Sequence, residues 1–185
     1  MISKPYLNLL KTQPQPSRYV REIADEIAGY AAEHNLTRVL DWGCGHEHAL
    51  QTLTNWVNPI QEYDPAVSGY EGKPKPAELV VCIDVLQCVE EHDLDRVIDE
   101  LAYLTEQVLW LVIDLESSPY HYDNGMNQNI TVRDREWWLT RIRKQFTIEW
   151  LEYTGAWLEL RARPTGSKRV TKLRTVNQWQ TRIGR

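Results

Sequence analysis

Hydrophobic positions in the first third of the chain switch between helical and strand-like spacing. Ser17 predicts a helix N-cap, and apolar residues then recur at helical spacing as far as Asn35. The short apolar run 38–42 ends in a glycine turn and has the length of a strand. Spaced apolar residues over 50–57 follow it. This part of the chain therefore predicts a helix, a strand, a tight turn and a second helix.

The middle of the chain continues the alternation. Residues 59–63 predict a second strand, and the loop 64–77, rich in Gly, Pro and Lys, leaves little room for a helix. Residues 79–83 and 108–115 form apolar runs typical of strands that are buried on both faces. Between these two runs, one helical stripe is formed by Leu94, Val97, Ile98, Leu101 and Leu104.

The C-terminal part predicts a polar loop, a helix and a hairpin. The loop covers 116–130, and the capping-box pattern Thr131-x-x-Asp134 predicts a helix start, with the end near Phe146. Two strands then predict an antiparallel hairpin across a Thr-Gly turn, over 147–153 and 156–163. Because strands alternate with helices, we expect an α/β fold: a doubly wound, mostly parallel sheet with helices on both faces and an antiparallel C-terminal hairpin.

Composition favours one soluble domain with short appendages. The 185 residues are 42% hydrophobic and 25% charged, which excludes a disordered chain or a disulfide scaffold. We expect an N-terminal extension over 1–16, a folded domain over 17–163 and a basic tail over 164–185. No run has the length of a membrane helix, and the N-terminus lacks the features of a secretory signal. The sequence therefore predicts a cytoplasmic protein with reduced Cys44, Cys82 and Cys88.

Charge is distributed unevenly along the chain. The net charge is −5, yet residues 161–185 contain eight Lys and Arg residues, no acid, and Trp179. Basic residues interleaved with an aromatic ring can neutralise phosphates and stack on bases, which predicts a nucleic-acid partner for 161–185. The alternatives are a segment that lies against the acidic remainder of its own chain, or a solvated terminus.

The turn after the first strand is the first candidate site. Ligands of doubly wound sheets bind at the carboxyl ends of the strands, and Asp41-Trp-Gly-Cys-Gly45 lies at such an end. Its glycines permit positive φ and close approach of a ligand, and the helix N-terminus behind them favours a negatively charged group. Asp64 ends the second strand, at a spacing that suits a carboxylate bound to ribose hydroxyls.

These residues resemble the class I S-adenosylmethionine-dependent methyltransferases. Residues 38–45 are similar to the first motif of that family, 63–65 to the end of its second strand, and 79–86 to its fourth-strand motif. The resemblance spans about 17–160. Two further patterns, Asn124-Gly-x-Asn127 and Glu136-Trp-Trp138, are similar to small bacterial and phage methyltransferase-like proteins.

The resemblance implies a Rossmann-like fold, S-adenosylmethionine as cofactor, and methyl transfer to an acceptor that is a small molecule or a nucleic acid. It implies catalytic roles for Asp84, Tyr120 and His121 and acceptor-facing positions for Asn124, Asn127 and Trp137. The implied cofactor-binding residues are Asp41, Gly43, Cys44, Gly45, Glu47, Asp64 and Asp84. Since the donor is already activated, the protein mainly positions the nucleophile and removes its proton.

Two positions depart from the family pattern and keep alternatives open. Glu47 stands where a third glycine is usual, and Cys88 where a histidine is common. At a helix start, Glu47 can bind the cofactor's ammonium group or obstruct the cofactor. The chain is then either an active methyltransferase, an enzyme that uses the same cofactor for another reaction, or a catalytically silent domain that binds a partner through its basic tail. A dinucleotide site ranks lower, because the last small residue of its fingerprint is missing.

A metal site is a weaker alternative for the same turn. Cys44, His46 and His48 offer soft and imidazole ligands within five residues. Three ligands on one turn do not easily converge on one ion, and no other His or Cys cluster supplies a fourth. The sequence therefore predicts no metal.

Overall fold

The computed structural model describes residues 7–9, 11, 19–53, 56 and 59–166. They form a sheet whose strands are β1 (Val39–Trp42), β2 (Gln61–Tyr63), β3 (Ala77–Ile83), β4 (Thr105–Asp114), β5 (Phe146–Tyr153) and β6 (Trp157–Pro164). The helices are α1 (Val20–Glu33), α2 (Ala49–Leu53), α3 (Leu94–Leu104) and α4 (Arg135–Ile142). Two short 3₁₀ turns, Leu86–Cys88 and Glu91–Asp93, lead into α3.

The six strands lie in the order β2-β1-β3-β4-β6-β5. β2, β1, β3 and β4 are parallel, whereas β6 runs antiparallel to both β4 and β5. The chain passes from β1 outward to β2 and then crosses back to β3 on the other side of β1, so the strand order reverses at β1. This topology confirms the doubly wound sheet and the C-terminal hairpin, and it places a switch-point crevice at the carboxyl end of β1.

The central strands of the sheet, β1, β3 and β4, are buried on both faces. Leu79, Val81 and Ile83 of β3 pack with α1, while Val80 and Cys82, which alternate with them, pack against α3 and α4. In β4, Leu109 and Leu111 pack on the face covered by α3 and α4. Trp110 and Val112, which alternate with them, pack on the face covered by α1. The five-residue stripe predicted for α3 is buried as expected. The molecule therefore has three layers, helix on sheet on helix.

Two helix boundaries differ from the predicted ones. α1 ends at Glu33, two residues early, because Asn35 has a φ of +55° that ends the helical path. The residue predicted to cap α1, Ser17, lies outside the described residues. The helix after the glycine turn, predicted over 50–57, is described only as the five residues of α2.

The predicted capping box of α4 is wrong. Asp134 is the N-cap, and its Oδ1 accepts a hydrogen bond from the Trp137 backbone N–H at 2.8 Å. Thr131 instead donates its hydroxyl to the Val89 carbonyl at 2.7 Å. The two residues of the Thr-x-x-Asp pattern therefore have separate roles. Asp134 caps α4, and Thr131 connects the loop before α4 to the loop after β3. α4 ends at Ile142, and Phe146 begins β5.

A buried carboxylate holds the start of α1 on the sheet. Glu159 of β6 is 5% exposed, and its two oxygens accept hydrogen bonds from Trp110 Nε1 at 2.8 Å and from the Tyr19 hydroxyl at 3.0 Å. The Tyr19 ring also stacks on Trp157, with centroids 4.9 Å apart. Burial raises the pKa of Glu159, while these two hydrogen bonds act in the opposite direction. Tyr19 therefore connects α1 to the last strand.

Two of the basic residues counted with the tail belong to the sheet. The Arg161 guanidinium lies over the rings of Tyr30, Trp110 and Trp150 at 4.2–5.0 Å. Arg163 pairs with Glu149 at 2.6 Å. The remaining six basic residues lie beyond Gly166, outside the described residues. In the part of the chain that the structure describes, no helix is long and apolar enough to cross a membrane.

Tyr19→Phe tests the connection to Glu159. The variant keeps the ring but removes a hydrogen bond to a carboxylate, so we expect the free energy of unfolding to fall by about 1.5–3 kcal/mol in urea titrations. Tyr103→Phe is the matched control, because Tyr103 is 70% exposed and its loss is expected to stay below about 0.5 kcal/mol. Equal stability of the two variants would show that the Tyr19 hydroxyl does not fasten α1.

Candidate functional site

A cavity lies at the carboxyl ends of β1, β2 and β3, where the strand order reverses. Apolar side chains of Val20, Leu50, Ala66, Val67 and Val85 form part of its wall. All seven residues predicted to bind the cofactor also line it: Asp41, Gly43, Cys44, Gly45, Glu47, Asp64 and Asp84. The fold thus brings together residues that are up to 43 positions apart in sequence.

The β1 turn requires glycine at position 43. Gly43 has a φ of +86°, and a Cβ atom added there would lie 2.4 Å from Val85 Cγ2. Its backbone N–H donates to the Tyr63 carbonyl at 2.7 Å, which ties the turn to the end of β2. Gly45 also has positive φ, +63°, but a Cβ atom there would meet nothing within 4 Å. Packing therefore demands the first glycine, whereas backbone conformation alone favours the second.

Asp64 joins the β1 turn to the β2 turn. Its Oδ2 accepts a hydrogen bond from the Gly45 N–H at 3.1 Å, and its Oδ1 accepts one from the Ala66 N–H at 2.7 Å. A carboxylate oxygen can accept a further bond, so Asp64 can hold both turns and still bind a hydroxyl group in the cavity.

Acidic side chains are concentrated at the cavity. Asp41 is 6% exposed, and burial, followed by the nearby Glu62 and Asp64 carboxylates, raises its pKa to about 7. Burial and the charges of Asp41 and Asp64 also raise the pKa of the Cys44 thiol. Asp41, Glu47, Asp64 and Asp84 line the cavity, and its described lining contains no Lys or Arg. Such a cavity favours a ligand that carries positive charge.

The structure does not support an anion site at the helix behind the turn. α2 has five residues and begins at Ala49, two positions after Glu47, so Glu47 does not start the helix. Glu47 instead forms an ion pair with Arg21 of α1 at 2.8 Å, at the exposed edge of the cavity. Unlike Gly43 and Gly45, Glu47 does not have positive φ, so its backbone does not require a glycine.

Asp84 occupies a constrained position after β3. Its φ is +62°, unusual for a residue with a side chain, and its N–H donates to the Val112 carbonyl at 3.0 Å. The side-chain amide of the fully buried Gln87 donates to Asp84 Oδ1. Strain of this kind persists where surrounding structure holds it, and it is concentrated at functional sites.

The loop between β4 and α4 is braced by its own side chains. Asn127 Oδ1 accepts hydrogen bonds from the backbone N–H groups of Ser118 and Asn129, at 3.0 and 2.9 Å. Asn127 Nδ2 donates to the Ser118 carbonyl at 2.7 Å and lies 3.2 Å from His121 Nε2. Asn127 therefore shapes the loop from within, and it is Gln128 that lines the cavity.

The other residues predicted to be catalytic or to face the acceptor do not line this cavity. Tyr120, His121 and Asn124 are absent from its described lining. Trp137 is on α4, where its ring lies 5.6 Å from the Arg133 guanidinium and 4.2 Å from that of Arg141. Asp84 is the one predicted catalytic residue that the fold brings to the cavity, and catalytic roles for the others stay predictions.

Sequence reasoning missed several residues of the cavity wall. Val20, Ala66, Val67 and Val85 carry no chemical signature, and the spacing of apolar residues does not separate a cavity wall from a core. Gln128 lies in the polar loop 116–130, and only its position in the folded loop distinguishes it from its neighbours.

Comparisons with known proteins identify the fold. No protein-family model matches the chain, and no curated protein matches it in sequence. The N-methyltransferase NodS from Bradyrhizobium japonicum WM9, solved with S-adenosyl-L-homocysteine, aligns with a TM-score of 0.58 and 12% identity over 88% of this chain and 100% of NodS. Magnesium protoporphyrin IX methyltransferase from Synechocystis PCC 6803, with bound SAH, aligns with a TM-score of 0.55 and 15% identity over 84% and 90% of the two chains. The chain has the fold of class I S-adenosylmethionine-dependent methyltransferases.

Gly43→Ala tests the packing of the β1 turn. Positive φ costs alanine about 1–2 kcal/mol and overpacking against Val85 about 1–3 kcal/mol more, so we expect the free energy of unfolding to fall by about 2–5 kcal/mol. Gly45→Ala is the control, because it retains the conformational penalty without the clash. Urea unfolding of both variants checks the difference, and equal losses would contradict close packing of Gly43 on Val85.

Asp41→Asn tests the burial of the carboxyl group. A pKa raised above the unfolded value means that folded Asp41 releases its proton at higher pH, so its contribution lowers stability by up to about 1.4 kcal/mol per pH unit between pH 4 and 7. Asp41 faces Glu62 and Asp64 and the Cys44 and Cys82 thiols, all of which the variant retains.

The difference in unfolding free energy between Asp41→Asn and the unsubstituted protein should therefore shift in favour of the variant from about pH 4 to pH 7 and then level off. Urea titrations at unit pH intervals measure this difference. A constant difference across the range would contradict the raised pKa.

Proposed function

We propose that this protein is an S-adenosylmethionine-dependent methyltransferase whose cofactor binds in the cavity at the ends of β1, β2 and β3. The observation that carries the proposal is the pairing of a tight glycine turn with four cavity-lining carboxylates and no cavity-lining Lys or Arg among the described residues. S-adenosylmethionine carries a sulfonium and an ammonium group, and when bound it supplies an activated methyl group for in-line displacement.

Charge discriminates between this cofactor and a dinucleotide. A dinucleotide brings a pyrophosphate, which is stabilised by a helix N-terminus behind a glycine-rich turn. Here the helix is short and the adjoining groups are carboxylates, so a pyrophosphate would meet like charges. A cation in the same place would favour the ionised form of Asp41.

Different residues of the chain would bind different parts of the cofactor. Asp64 would accept hydrogen bonds from the ribose hydroxyls. It lines the cavity at the end of β2, and the Gly45 and Ala66 N–H groups orient its carboxylate. Asp41, Gly43 and Gly45 would lie along the methionine part, with the Asp41 carboxylate near the positive groups. The apolar wall that includes Val67 and Val85 suits a flat adenine ring.

On the acceptor side we propose Asp84 as the group that contacts the acceptor and takes its proton where one must leave. Its carboxylate is held at the cavity by Gln87, and Gln128 faces the same space. The acidic lining disfavours a phosphate-rich acceptor near the reacting centre, so we favour a small molecule over a nucleic acid.

We further propose a cytoplasmic setting in a bacterium or a phage-infected cell. Within the described residues no disulfide joins Cys44, Cys82 or Cys88, as a reducing compartment favours, and the motif resemblance is to bacterial and phage proteins. The basic segment beyond Gly166 stays a candidate contact for an anionic partner.

Calorimetric titration with S-adenosylmethionine, S-adenosylhomocysteine and NAD⁺ tests the proposal. We expect saturable 1:1 binding of the first two and none of NAD⁺. In Asp64→Asn, which keeps one acceptor for the turns but loses the charge, affinity for S-adenosylmethionine should fall at least about tenfold, from the loss of bonds worth about 1.5–3 kcal/mol each.

Glu47→Gln is the matched carboxylate-to-amide control. Because Glu47 is paired with Arg21 at the cavity edge, its loss should change the affinity by less than about threefold. A tenfold loss would instead make Glu47 a cofactor ligand.

Failure of the unsubstituted protein to bind either sulfur compound would overturn the proposal and favour the silent-domain alternative. Transfer of labelled methyl groups to fractionated cell extract then identifies the acceptor class.

A further inference from the structure

A second cluster of chemically active side chains lies between the β1 turn and β2. It consists of Cys44, His48 and Glu62, whose sulfur, ring nitrogen and carboxylate oxygen all lie within 4.8 Å of one another. Cys44 also lines the cavity, whereas His48 and Glu62 do not belong to its described lining. The cluster is therefore adjacent to the proposed cofactor site but distinct from it.

The spacing of these atoms is close to that of ligands around one metal ion. His48 Nδ1 and Glu62 Oε1 are 3.1 Å apart. In a tetrahedral zinc site with bonds of about 2.0–2.2 Å, a nitrogen and an oxygen ligand lie about 3.3–3.5 Å apart. A sulfur and a nitrogen ligand lie about 3.6 Å apart, so a Cys44 sulfur at the 4.8 Å limit would need to come closer by about 1.2 Å.

The imidazole is already held in a defined orientation. The His48 ring packs against Tyr70, with centroids 4.4 Å apart, and its side chain is 26% exposed. The Glu62 side chain is 12% exposed. His48 has a φ of +47°, so the chain holds this residue in the left-handed region just before α2. Two of the three candidate ligands are thus preorganised and largely shielded from water.

The surrounding charge favours a cation. Asp41, Asp64 and Glu62 all act electrostatically on the Cys44 sulfur. Among the described residues, the ion-pair contact of Glu62 is with His48, whose charge depends on protonation. A divalent cation at this point would neutralise several groups at once.

We propose that Cys44, His48 and Glu62 bind one zinc-type divalent cation, with water in the fourth position. Thiolate and imidazole ligands with one carboxylate suit Zn²⁺ better than Mg²⁺ or Ca²⁺, which prefer oxygen-only sites. Cys44 binds as the thiolate, and its proton passes to solvent. The ion would join the β1 turn to β2 and so stabilise the turn that carries Gly43 and Gly45. This set of ligands differs from the Cys44, His46 and His48 group considered in the sequence analysis. Glu62 of the neighbouring strand β2 takes the place of His46.

Metal titration of the full chain tests the site without reference to the cofactor. The protein is treated with a chelator under reducing conditions, and Zn²⁺ is then added in competition with a chromophoric chelator. We expect one equivalent to bind and to raise the melting temperature. Cys44→Ser, His48→Asn and Glu62→Gln should each weaken binding at least about tenfold. Asn is chosen at position 48 because it tolerates positive φ.

Two histidine variants control for adventitious binding. His46→Gln removes the other histidine of the same turn, and His92→Gln removes the exposed histidine of the Glu90-His92-Asp93 group. Both should bind Zn²⁺ as the unsubstituted protein does. Co²⁺ should give a thiolate charge-transfer band that disappears in Cys44→Ser.

Absence of saturable binding, or binding that survives Cys44→Ser unchanged, would overturn the site. So would equal losses in His46→Gln and Glu62→Gln. Because Zn²⁺ and S-adenosylmethionine are titrated separately, failure of the metal site and failure of the proposed function give different results.

Discussion

The close approach of Gly43 to Val85 is the contact on which the cavity depends. β1 and β3 are neighbouring parallel strands, so the turns that leave their carboxyl ends compete for the same space. Because Gly43 has no Cβ atom, the β1 turn can lie against Val85 at the end of β3. In that position the turn donates to the Tyr63 carbonyl, and Gly45 reaches Asp64. The ends of all three strands are thereby fixed around one cavity.

The buried negative charge in this region costs the fold stability. β1 lies between two parallel strands and under helices, so its Asp41 is buried whatever its charge state. Glu62 and Asp64 raise the free energy of the ionised form further. Buried like charges of this kind destabilise a fold, and they are retained where a cation compensates for them. The positive groups of the proposed cofactor and the proposed metal ion are two such cations, and Cys44 belongs to both sites.

The wall formed by α1 depends on the far end of the chain. Val20 lines the cavity, and the preceding residue, Tyr19, is fastened to Glu159 of β6, 140 positions later. The antiparallel hairpin therefore helps to position the first helix at the cavity. On the other side, hydrogen bonds of Asn127 hold the loop after β4, and the next residue, Gln128, lines the cavity.

The sequence by itself determined the elements and the position of the cavity. Burial on both faces of β3 and β4, the stripe of α3 and the Thr-Gly hairpin all leave local periodic patterns, because each element buries its own residues in a regular repeat. The glycine turn and Asp64 were equally legible, since strand ends in a doubly wound sheet meet at one edge.

Only the tertiary structure decided which side chains meet. Val85 against Gly43, Glu62 beside Cys44 and Glu159 beneath Tyr19 are contacts between distant segments. The register of β1 against β2 and β3 sets the first two, and that of β4 against β6 brings Glu159 to Trp110. Thr131 shows the same limit, because its spacing fitted a helix cap while its hydroxyl found a carbonyl 42 residues away. A local pattern predicts which residues of a segment are buried. The residues that they contact depend on the register between strands, and that register is a property of two segments together.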